Sequence, residues 1–252
     1  MNKFSCMSYE KEILLLTATV CPRGMCFVKR TDPHIRLQDY KDALALWLSV
    51  QDVPAVVFCE NSDYDMFQIE QFIKEHNTSN KPVELLSFDG NDYPKDLGKG
   101  YGEIGILSHA LENSDLIGPD TIIIKVSGRL YISNFSNLIR KVRASRGIDV
   151  FCNLRRNLTW ADTNIFCASV EFIREYVLPL RELTNDSTGV SFEHVLALAV
   201  HKAMADGLQW SMLPCFPAIQ GISASNRVYP NSIISRVKRE LFRRVKAAVL
   251  EL

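Results

Sequence analysis

Apolar residues along this chain form short continuous runs that alternate with longer stretches in which they recur at every third or fourth position. The run at 13–20, ILLLTATV, is rich in β-branched residues, as a buried parallel strand is, and the segment Cys21-Pro22-Arg23-Gly24 ends it. The next stretch, 35–50, has helical spacing, with apolar residues at Leu37, Tyr40, Ala43, Leu44 and Trp47. The pattern therefore predicts a strand followed by an amphipathic helix.

The same alternation continues through the first 155 residues. It predicts further strands at 54–59, 82–87, 121–126 and 148–153, and helices at 64–76, 102–112 and 134–143. Alternating strands and helices favour a single α/β domain with a mostly parallel sheet and helices on both faces. Open parallel sheets of this kind commonly bind nucleotides at the carboxyl ends of their strands. We therefore expect the part of the chain at about 13–155 to bind a nucleotide.

The rhythm changes beyond residue 155. The pattern predicts a strand at 163–168, a helix at 169–177, a helix at 190–205 capped by Ser191 or Ser187, and a last helix at 231–248. We expect the region of about 156–230 to supply the surface for a second substrate. The segment 231–252 follows as a basic amphipathic helix.

Composition narrows the class of protein. The 252 residues include 29 Lys and Arg against 29 Asp and Glu, so the chain lacks the positive charge that drives binding to nucleic acid. The seven cysteines are scattered and contain no CxxC pair, which is typical of reduced, buried thiols and predicts no zinc site. No apolar run of about 18 residues occurs, and the N-terminus lacks the apolar stretch of a signal peptide. We therefore expect a cytosolic protein.

Three polar segments follow predicted strands. Glu60, Asn61 and Ser62 end the second strand, where they could contact a base or ribose, or where Ser62 or Asp63 could simply cap the next helix. The adjacent Asp63-Tyr64-Asp65 spells DxD, but its early position in the sheet argues against a metal site.

The second segment, 98–105, contains GxGxxG at a distance from its strand that does not suit a dinucleotide fingerprint. Its glycines could instead let phosphate approach a helix N-terminus beside Lys99, or could belong to a flexible loop. The third segment, Lys125-Val126-Ser127-Gly128-Arg129, puts two cations in or after the central strand. Cations there need an anion, which is either a ligand or a carboxylate of the sheet.

The patterns E-N-S at 60–62, G-K-G-Y-G-E at 98–103, K-x-S-G-R at 125–129 and F-E-H at 192–194 resemble, in this order, small bacterial glycosyltransferases of capsule and O-antigen assembly. The resemblance spans about 13–230. It implies a Rossmann-like, GT-A-type domain, a nucleotide-sugar donor and a glycan acceptor, in most cases lipid-linked, at the cytoplasmic side of the inner membrane. The residues that it assigns to donor binding are Glu60, Asn61, Ser62, Lys99, Gly100, Tyr101, Glu103, Lys125, Gly128 and Arg129.

One departure from that resemblance changes the expected chemistry. GT-A enzymes typically carry a DxD after the central strand, where this chain has Lys125 and Arg129. Cations can stabilise a leaving phosphate as a metal ion does. We therefore predict transfer without a metal cofactor, with Lys99, Lys125 and Arg129 as phosphate partners.

Glu193 resembles the base of the large inverting GT-A families, and the alternative is a glutamate that only caps its helix. Asp162 is the second candidate for the base, or binds acceptor hydroxyls. We interpret His194 and His201 as structural. Trp160 and Trp210 are core residues or sugar-stacking platforms.

The last helix has two interpretations. Its apolar stripe at Ile234, Val237, Leu241, Val245, Ala248 and Leu252 could pack on the core. Alternatively, its six cations between 236 and 246 could hold 231–252 on an anionic membrane. Two other function classes stay open: a Rossmann-type enzyme using NAD or S-adenosylmethionine, and a non-catalytic module that binds nucleotide sugars.

Overall fold

The computed structural model describes residues 11–26, 28–145, 147–223, 229 and 233–250, and side chains in the last helix at 240–246, 248 and 249. The strands are β1 (Lys11–Ala18), β2 (Val56–Glu60), β3 (Val83–Ser87), β4 (Thr121–Ser127), β5 (Leu130–Ile132), β6 (Val150–Phe151), β7 (Leu154–Arg155), β8 (Trp160–Ala161), β9 (Ile165–Ser169), β10 (Trp210–Ser211) and β11 (Ile219–Gly221). The helices are α1 (Pro33–Ser49), α2 (Phe67–His76), α3 (Gly98–Asn113), α4 (Phe135–Ala144), α5 (Val170–Phe172), α6 (Phe192–Ala205) and α7 (Ile233–Leu250).

Seven of these strands form one sheet in the order β10-β6-β9-β4-β1-β2-β3. β1 lies between β4 and β2 and runs parallel to both, and β3 continues the parallel set. β9 is antiparallel to both of its neighbours. Two short antiparallel ladders, β5 with β11 and β7 with β8, stand apart from this sheet. The predicted α/β fold, with a mostly parallel Rossmann-like sheet, is confirmed.

Helices cover both faces of the sheet, as predicted. In β1, Ile13 and Leu15 pack into the apolar cluster formed with α3, α5 and α6. Leu14 and Leu16 pack into the opposite cluster, formed with α1 and α4. Because successive side chains of a strand point to opposite faces, a continuous apolar run is what a strand covered on both sides requires.

Local chemistry sets where the helices begin. Asp32 caps α1 by accepting the backbone N–H groups of His34 and Ile35. Of the two predicted caps of α6, Ser191 and Ser187, it is Ser191 that caps the helix. The side chain that completes this capping box is His194, whose Nδ1 accepts the Ser191 N–H, so Glu193 is left outside the cap. Neither Ser62 nor Asp63 caps α2, which begins after Met66, so that alternative is wrong.

The second half of the chain contributes to the same sheet as the first half. β9 inserts between β4 and β6, and α6 packs on the face that α3 also covers. After α5 the chain continues through a π-helical turn at Ile173–Val177 and a 3-10 turn at Leu178–Leu183, so the predicted helix at 169–177 is irregular. The site is consequently built from segments of both halves.

Four cysteines, Cys59, Cys152, Cys167 and Cys215, are buried as free thiols, whereas Cys26 is exposed. Cys6 lies outside the described residues. Burial raises the pKa of the Cys152 thiol to about 12, so this thiol stays protonated and inert. Among the helices of the described residues, none is long and apolar enough to cross a bilayer.

Candidate functional site

A cleft opens where β1, β2 and β4 end at their carboxyl ends, which is where open parallel sheets bind their ligands. Its floor and walls combine residues that follow these strands with residues from α1, α3 and α6. The polar lining residues are Thr17, Thr19, Arg36, Tyr40, Asn61, Tyr93, Lys99, Glu103, Ser127, Arg129, Thr163, Asn164, Glu193 and Ser223.

Arg129 is the least satisfied charge in this cleft. Its side chain is only 8% exposed, and its Nη1 atom has no hydrogen-bond partner within the described part of the chain. The nearest carboxylate oxygen, Asp39 Oδ2, lies 3.8 Å from Nη1, and the Tyr40 ring lies 5.9 Å from the guanidinium carbon. Burial lowers the Arg129 pKa, but an arginine keeps its charge in proteins. A buried donor of this kind requires an anion.

A second buried arginine, Arg36 of α1, lines the same cleft and was not singled out from the sequence. Its Nε donates to the Thr19 carbonyl at 2.7 Å, and its Nη2 donates to the Tyr40 hydroxyl at 3.3 Å. The positive charge of Arg36 contributes to the lowered pKa of Arg129, because the two cations repel each other. Together they make this wall of the cleft strongly attractive to an anion.

Asp39 does not neutralise the two cleft arginines. Its Oδ1 accepts a hydrogen bond from Arg30 at 2.7 Å, and its Oδ2 accepts from the Arg30 Nε. This bidentate pair raises the Arg30 pKa through the hydrogen bond to Asp39. The cluster of Arg30, Arg36, Arg129 and Asp39 therefore carries two positive charges more than negative ones.

Lys125 pairs with a carboxylate of the protein and not with an anionic ligand, which were the two alternatives for this cation. The fully buried ammonium forms an ion pair with Glu103 of α3 and donates to the Thr163 carbonyl at 2.6 Å. Its third neighbour, Ser127 Oγ, lies at 3.4 Å. Because all three of its donors have partners inside the protein, Lys125 does not reach the cleft as a free phosphate partner.

Glu193 lines the same cleft as the arginines, from the first turn of α6. Its side chain is half-buried, and its Oε1 accepts a hydrogen bond from the Thr163 hydroxyl at 3.2 Å. The Thr163 carbonyl is the group that Lys125 holds, so the buried lysine fixes the loop that orients Glu193.

Asp162 lies next to the cleft but is occupied by its own loop. Its Oδ1 accepts from the backbone and side-chain amides of Asn164, and Oδ2 accepts from Arg155 at 3.4 Å. Asn164 itself lines the cleft. Asp162 is therefore placed to shape the loop around Asn164.

Glu60 and Ser62 are also committed to internal bonds. The Glu60 carboxylate is buried and accepts the backbone N–H groups of Val20, Ser62 and Tyr64 as well as the Ser62 hydroxyl. These bonds tie the loop after β1 to the loop after β2. Of the E-N-S segment, Asn61 lines the cleft, where its Oδ1 accepts from the Thr19 hydroxyl at 2.6 Å.

The glycine-rich segment forms the start of α3, which begins at Gly98 and not at 102, so the alternative of a flexible loop is wrong. A Cβ at Gly100 would lie 2.9 Å from the backbone nitrogen of Phe192, and a Cβ at Gly102 would lie 2.3 Å from the Tyr93 hydroxyl. These glycines allow close packing of α3 against its neighbours. Gly100 and Tyr101 do not line the cleft, and the Tyr101 hydroxyl donates to Glu182 at 2.9 Å.

The remaining predicted donor residues do line the cleft. Lys99 is exposed near Asp186, whose pKa is raised by burial and by Glu193 and lowered by Lys99. Glu103 lines it too, with its carboxylate held by Lys125 and by the Thr17 hydroxyl. At Gly128 a Cβ would lie 2.9 Å from the Thr17 carbonyl, so only glycine fits there without a shift of the backbone.

Few carboxylates line the cleft in the part of the chain that the structure describes. Within the described ranges no three His, Cys, Asp or Glu side chains come together as metal ligands. Asp63 and Asp65 are exposed outside the cleft, and Asp65 accepts the backbone N–H of Phe67. Of the two cleft carboxylates, Glu103 is paired with Lys125. These donors do not fit the divalent cation that a GT-A fold implies.

No established protein-family profile matches the chain, and no curated protein matches it in sequence. Solved structures with a similar arrangement include a cytidylyltransferase from Leptospira borgpetersenii, at 11% identity over 94% of this chain and 96% of that one, with a TM-score of 0.48. Glycosyltransferase GlyE from Streptococcus pneumoniae is 10% identical over 81% and 45% of the two chains, with a TM-score of 0.47. A mannosyltransferase from Pyrobaculum calidifontis, in complex with GDP-Man and Mn²⁺, is 13% identical over 80% and 54%, with a TM-score of 0.45. Likenesses this distant carry no argument about activity.

Proposed function

We propose that this protein is a glycosyltransferase that moves a sugar from a nucleotide-sugar donor to a glycan acceptor. The observation that carries the proposal is the buried Nη1 of Arg129, which has no hydrogen-bond partner among the described residues and lies beside Arg36 in a cleft at the carboxyl ends of parallel strands. A nucleotide-sugar brings an anion of the required kind, because its phosphate oxygens accept hydrogen bonds from guanidinium groups in a bidentate manner.

The arginines provide the charge that transfer needs at the leaving group. When the bond between the anomeric carbon and the phosphate oxygen breaks, its electron pair stays on the nucleotide, which gains negative charge. Fixed cations that face this developing charge stabilise the transition state more than the ground state. Arg36 is held in place by three hydrogen bonds, and Arg129 is held by burial beside the Tyr40 ring, so neither side chain needs a large reorganisation during the reaction.

Glu193 provides the base in this proposal. The acceptor hydroxyl oxygen bonds to the anomeric carbon from the side opposite the leaving phosphate, and its proton passes to the Glu193 carboxylate. Three observations support this role: Glu193 lines the cleft, it stands outside the capping box, and Thr163 orients its carboxylate. A single displacement of this kind inverts the anomeric configuration.

The proposal includes no metal cofactor. It rests on the two cleft arginines, which supply the positive charge that a metal ion otherwise supplies to the diphosphate. Donor contacts come from Arg129, Arg36, Lys99, Asn61 and Gly128. Lys125 and Glu103 act as a structural pair that supports the loop at Thr163.

The dinucleotide alternative is disfavoured by a particular observation. Its fingerprint needs a glycine-rich turn between a strand and a helix, with backbone N–H groups open to phosphate. Here the glycines lie inside α3 and pack against Phe192 and Tyr93. In the non-catalytic alternative the cleft binds the same nucleotide-sugar, but Glu193 does not act as a base. A measurement of transferase activity separates the two.

For the acceptor we propose a lipid-linked glycan of surface polysaccharide assembly, which places the protein in the cytoplasm at the inner membrane. The support is the resemblance of the patterns at 60–62, 98–103, 125–129 and 192–194 to enzymes of that class. The acceptor class is the part of the proposal that depends on resemblance alone.

The test is donor turnover by the purified protein in EDTA. Each of a panel of UDP-, GDP-, TDP- and CMP-sugars is incubated with the protein, and release of the free nucleotide is followed by chromatography. We expect one donor to be consumed slowly by hydrolysis and faster with added glycan acceptors. Consumption that requires added Mn²⁺ would contradict the metal-independent part, and consumption of none would favour the non-catalytic module.

A further inference from the structure

The last helix, α7, exposes an apolar face. Leu241, Phe242, Val245 and Val249 are 63%, 74%, 57% and 65% exposed. Their spacing of one, four and eight residues from the first places all four on one side of the helix. For comparison, α1 and α6 expose two large apolar side chains each, at 39% to 45%. The apolar side of α7 is therefore turned away from the rest of the protein.

Polar contacts hold the other side of α7 against the domain. Glu240 accepts the backbone N–H of Phe216 at 2.7 Å and forms an ion pair with Arg243 at 2.9 Å. Lys246 donates to the Leu154 carbonyl. This orientation does not agree with the core-packing alternative, in which Leu241 and Val245 pack on the core and the cations face solvent. An amphipathic helix held in this way leaves its apolar face for another partner.

The contact at Leu154 places α7 beside the β7–β8 hairpin, which adds exposed cations. Arg155 and Arg156 are exposed and lie 5.8 and 5.5 Å from the Trp160 ring. The charge of Arg155 is close enough to lower the pKa of Lys246, after the larger effect of burial. Arginine and tryptophan are the side chains that favour the boundary between water and a lipid bilayer.

The apolar face could be covered by a second copy of the chain or by a lipid surface, and the charge of the helix favours the lipid surface. Between 236 and 246 it has six basic residues and one acid, Glu240, so that stretch carries five positive charges in excess. A second copy of the chain would bring the same charge to the same face, and the two would repel each other. An anionic lipid surface attracts this charge. A helix is about 10 Å wide and the screening length is about 8 Å, so cations on its far side still contribute.

We infer that the apolar face of α7 inserts into the surface of an anionic lipid bilayer, with Phe242 as its most exposed side chain. The cations of α7 and of the β7–β8 hairpin add electrostatic attraction to the lipid headgroups. This inference does not depend on the proposed transferase activity, because it rests on exposed side chains outside the cleft.

The experiment is flotation of the full chain with two kinds of vesicle, one of phosphatidylcholine alone and one of equal parts phosphatidylcholine and phosphatidylglycerol. We expect binding to the anionic vesicles, a decrease with added salt, and a decrease of about ten-fold or more for Phe242→Ser. Phe67→Ser is the matched control, because Phe67 is also an exposed phenylalanine, on α2, and its removal leaves binding unchanged. Val249→Ser repeats the test at a second position of the face.

Sedimentation velocity of the same variants measures whether the apolar face instead forms a dimer with a second copy of the chain. Failure to float with anionic vesicles overturns the inference. So does binding that Phe242→Ser and Val249→Ser leave unchanged. A dimer that dissociates in Phe242→Ser, without vesicle binding by the wild type, would assign the face to a second copy. Vesicle binding is measured without a nucleotide. A failure of the membrane inference can therefore be told apart from a failure of the proposed transferase function.

Discussion

Single residues in this protein show how the same chemical type takes different roles according to its surroundings. Lys125 and Arg129 are four positions apart in one motif, and from the sequence both are candidates for an anionic ligand. The structure pairs Lys125 with Glu103, whereas Nη1 of Arg129 finds no hydrogen-bond acceptor in the described part of the chain and meets only Asp39, at 3.8 Å. The motif shows that cations near the central strand need anions. It cannot show which anion lies nearby, because Glu103 approaches from another helix.

Arg36 is a residue of the cleft that sequence analysis did not identify. It stands in an amphipathic helix, where an arginine is usually a solvated surface residue. It is buried because the helix packs that turn against the ends of β1 and the loop after it. No local pattern marks such a position. The one available signal was its spacing of one residue from Leu37 and four from Tyr40, which puts it close to the buried side.

Glu193→Gln tests the assignment of the base. We expect donor binding to stay intact and turnover to fall by on the order of 10² or more, since an amide cannot take the acceptor's proton. Steady-state kinetics and equilibrium binding of the donor measure the two effects separately. Glu70→Gln is the control, because Glu70 also lies in the first turn of a helix, α2, outside the cleft. A variant with near-normal turnover would remove Glu193 from the reaction.

Lys125→Met tests the internal ion pair. Removing the buried cation leaves the Glu103 carboxylate without its partner, so we expect the free energy of unfolding to fall by about 3 kcal/mol. Lys125→Met combined with Glu103→Gln should be more stable than the sum of the single changes predicts. Urea unfolding provides the values, and Lys74→Met, at an exposed position on α2, is the control. Loss of donor affinity with unchanged stability would return Lys125 to the phosphate site.

At the scale of secondary structure, hydrophobic periodicity predicted the long elements within a few residues. The helix predicted at 35–50 is Pro33–Ser49, and the strand predicted at 121–126 is Thr121–Ser127. Both are long and strongly periodic, so packing and local preference agree. Short strands such as β5 and β11 were missed because two or three residues contain no period. Their pairing is set by partners distant in sequence.

The glycine-rich segment was misplaced for a different reason. Four glycines within eight residues lower the helix propensity of 98–105, and the sequence alone therefore predicts a loop before a helix that begins at 102. The structure continues the helix back to Gly98, because close packing against Phe192 and Tyr93 outweighs the low propensity. The tertiary contacts decide this element.

The docking of α7 predicts a dependence on pH. Burial raises the Glu240 pKa, but hydrogen bonds from Arg243, the Phe216 backbone and Arg244 outweigh burial and lower it to about 2. The unfolded value is about 4.3, so the stabilisation by Glu240 is complete above about pH 4.3 and is lost as the pH falls towards 2. We expect Glu240→Gln to weaken α7 by about 1 kcal/mol at neutral pH, with a smaller difference in acid.

Hydrogen exchange of the α7 amides at several pH values measures this difference locally. The control is Glu75→Gln, at an exposed glutamate of α2. If exchange in α7 is the same for Glu240→Gln and the wild type at neutral pH, the contact with Phe216 does not hold the helix.

At the scale of the whole molecule, one continuous sheet joins the two halves of the chain. β9 from the second half lies between β4 and β6 of the first half, and the cleft takes Arg36 and Arg129 from one half and Thr163 and Glu193 from the other. The arrangement brings two arginines and a carboxylate to one cleft. The sequence predicted Arg129 and Glu193 separately, whereas Arg36 and the shared cleft are supplied by the fold.

The central claim is that Arg129 binds the phosphate of a nucleotide-sugar without a metal ion. Isothermal titration in EDTA tests it most directly, with UDP-, GDP-, TDP- and CMP-sugars, NAD and S-adenosylmethionine added in turn to the wild type and to Arg129→Gln. The control is Arg140→Gln, at an exposed arginine of α4 outside the cleft. We predict that a nucleotide-sugar binds the wild type and the control alike and binds Arg129→Gln more weakly by about 1.5–3 kcal/mol. Equal affinity for Arg129→Gln and the wild type, or binding of NAD or S-adenosylmethionine alone, would contradict the account.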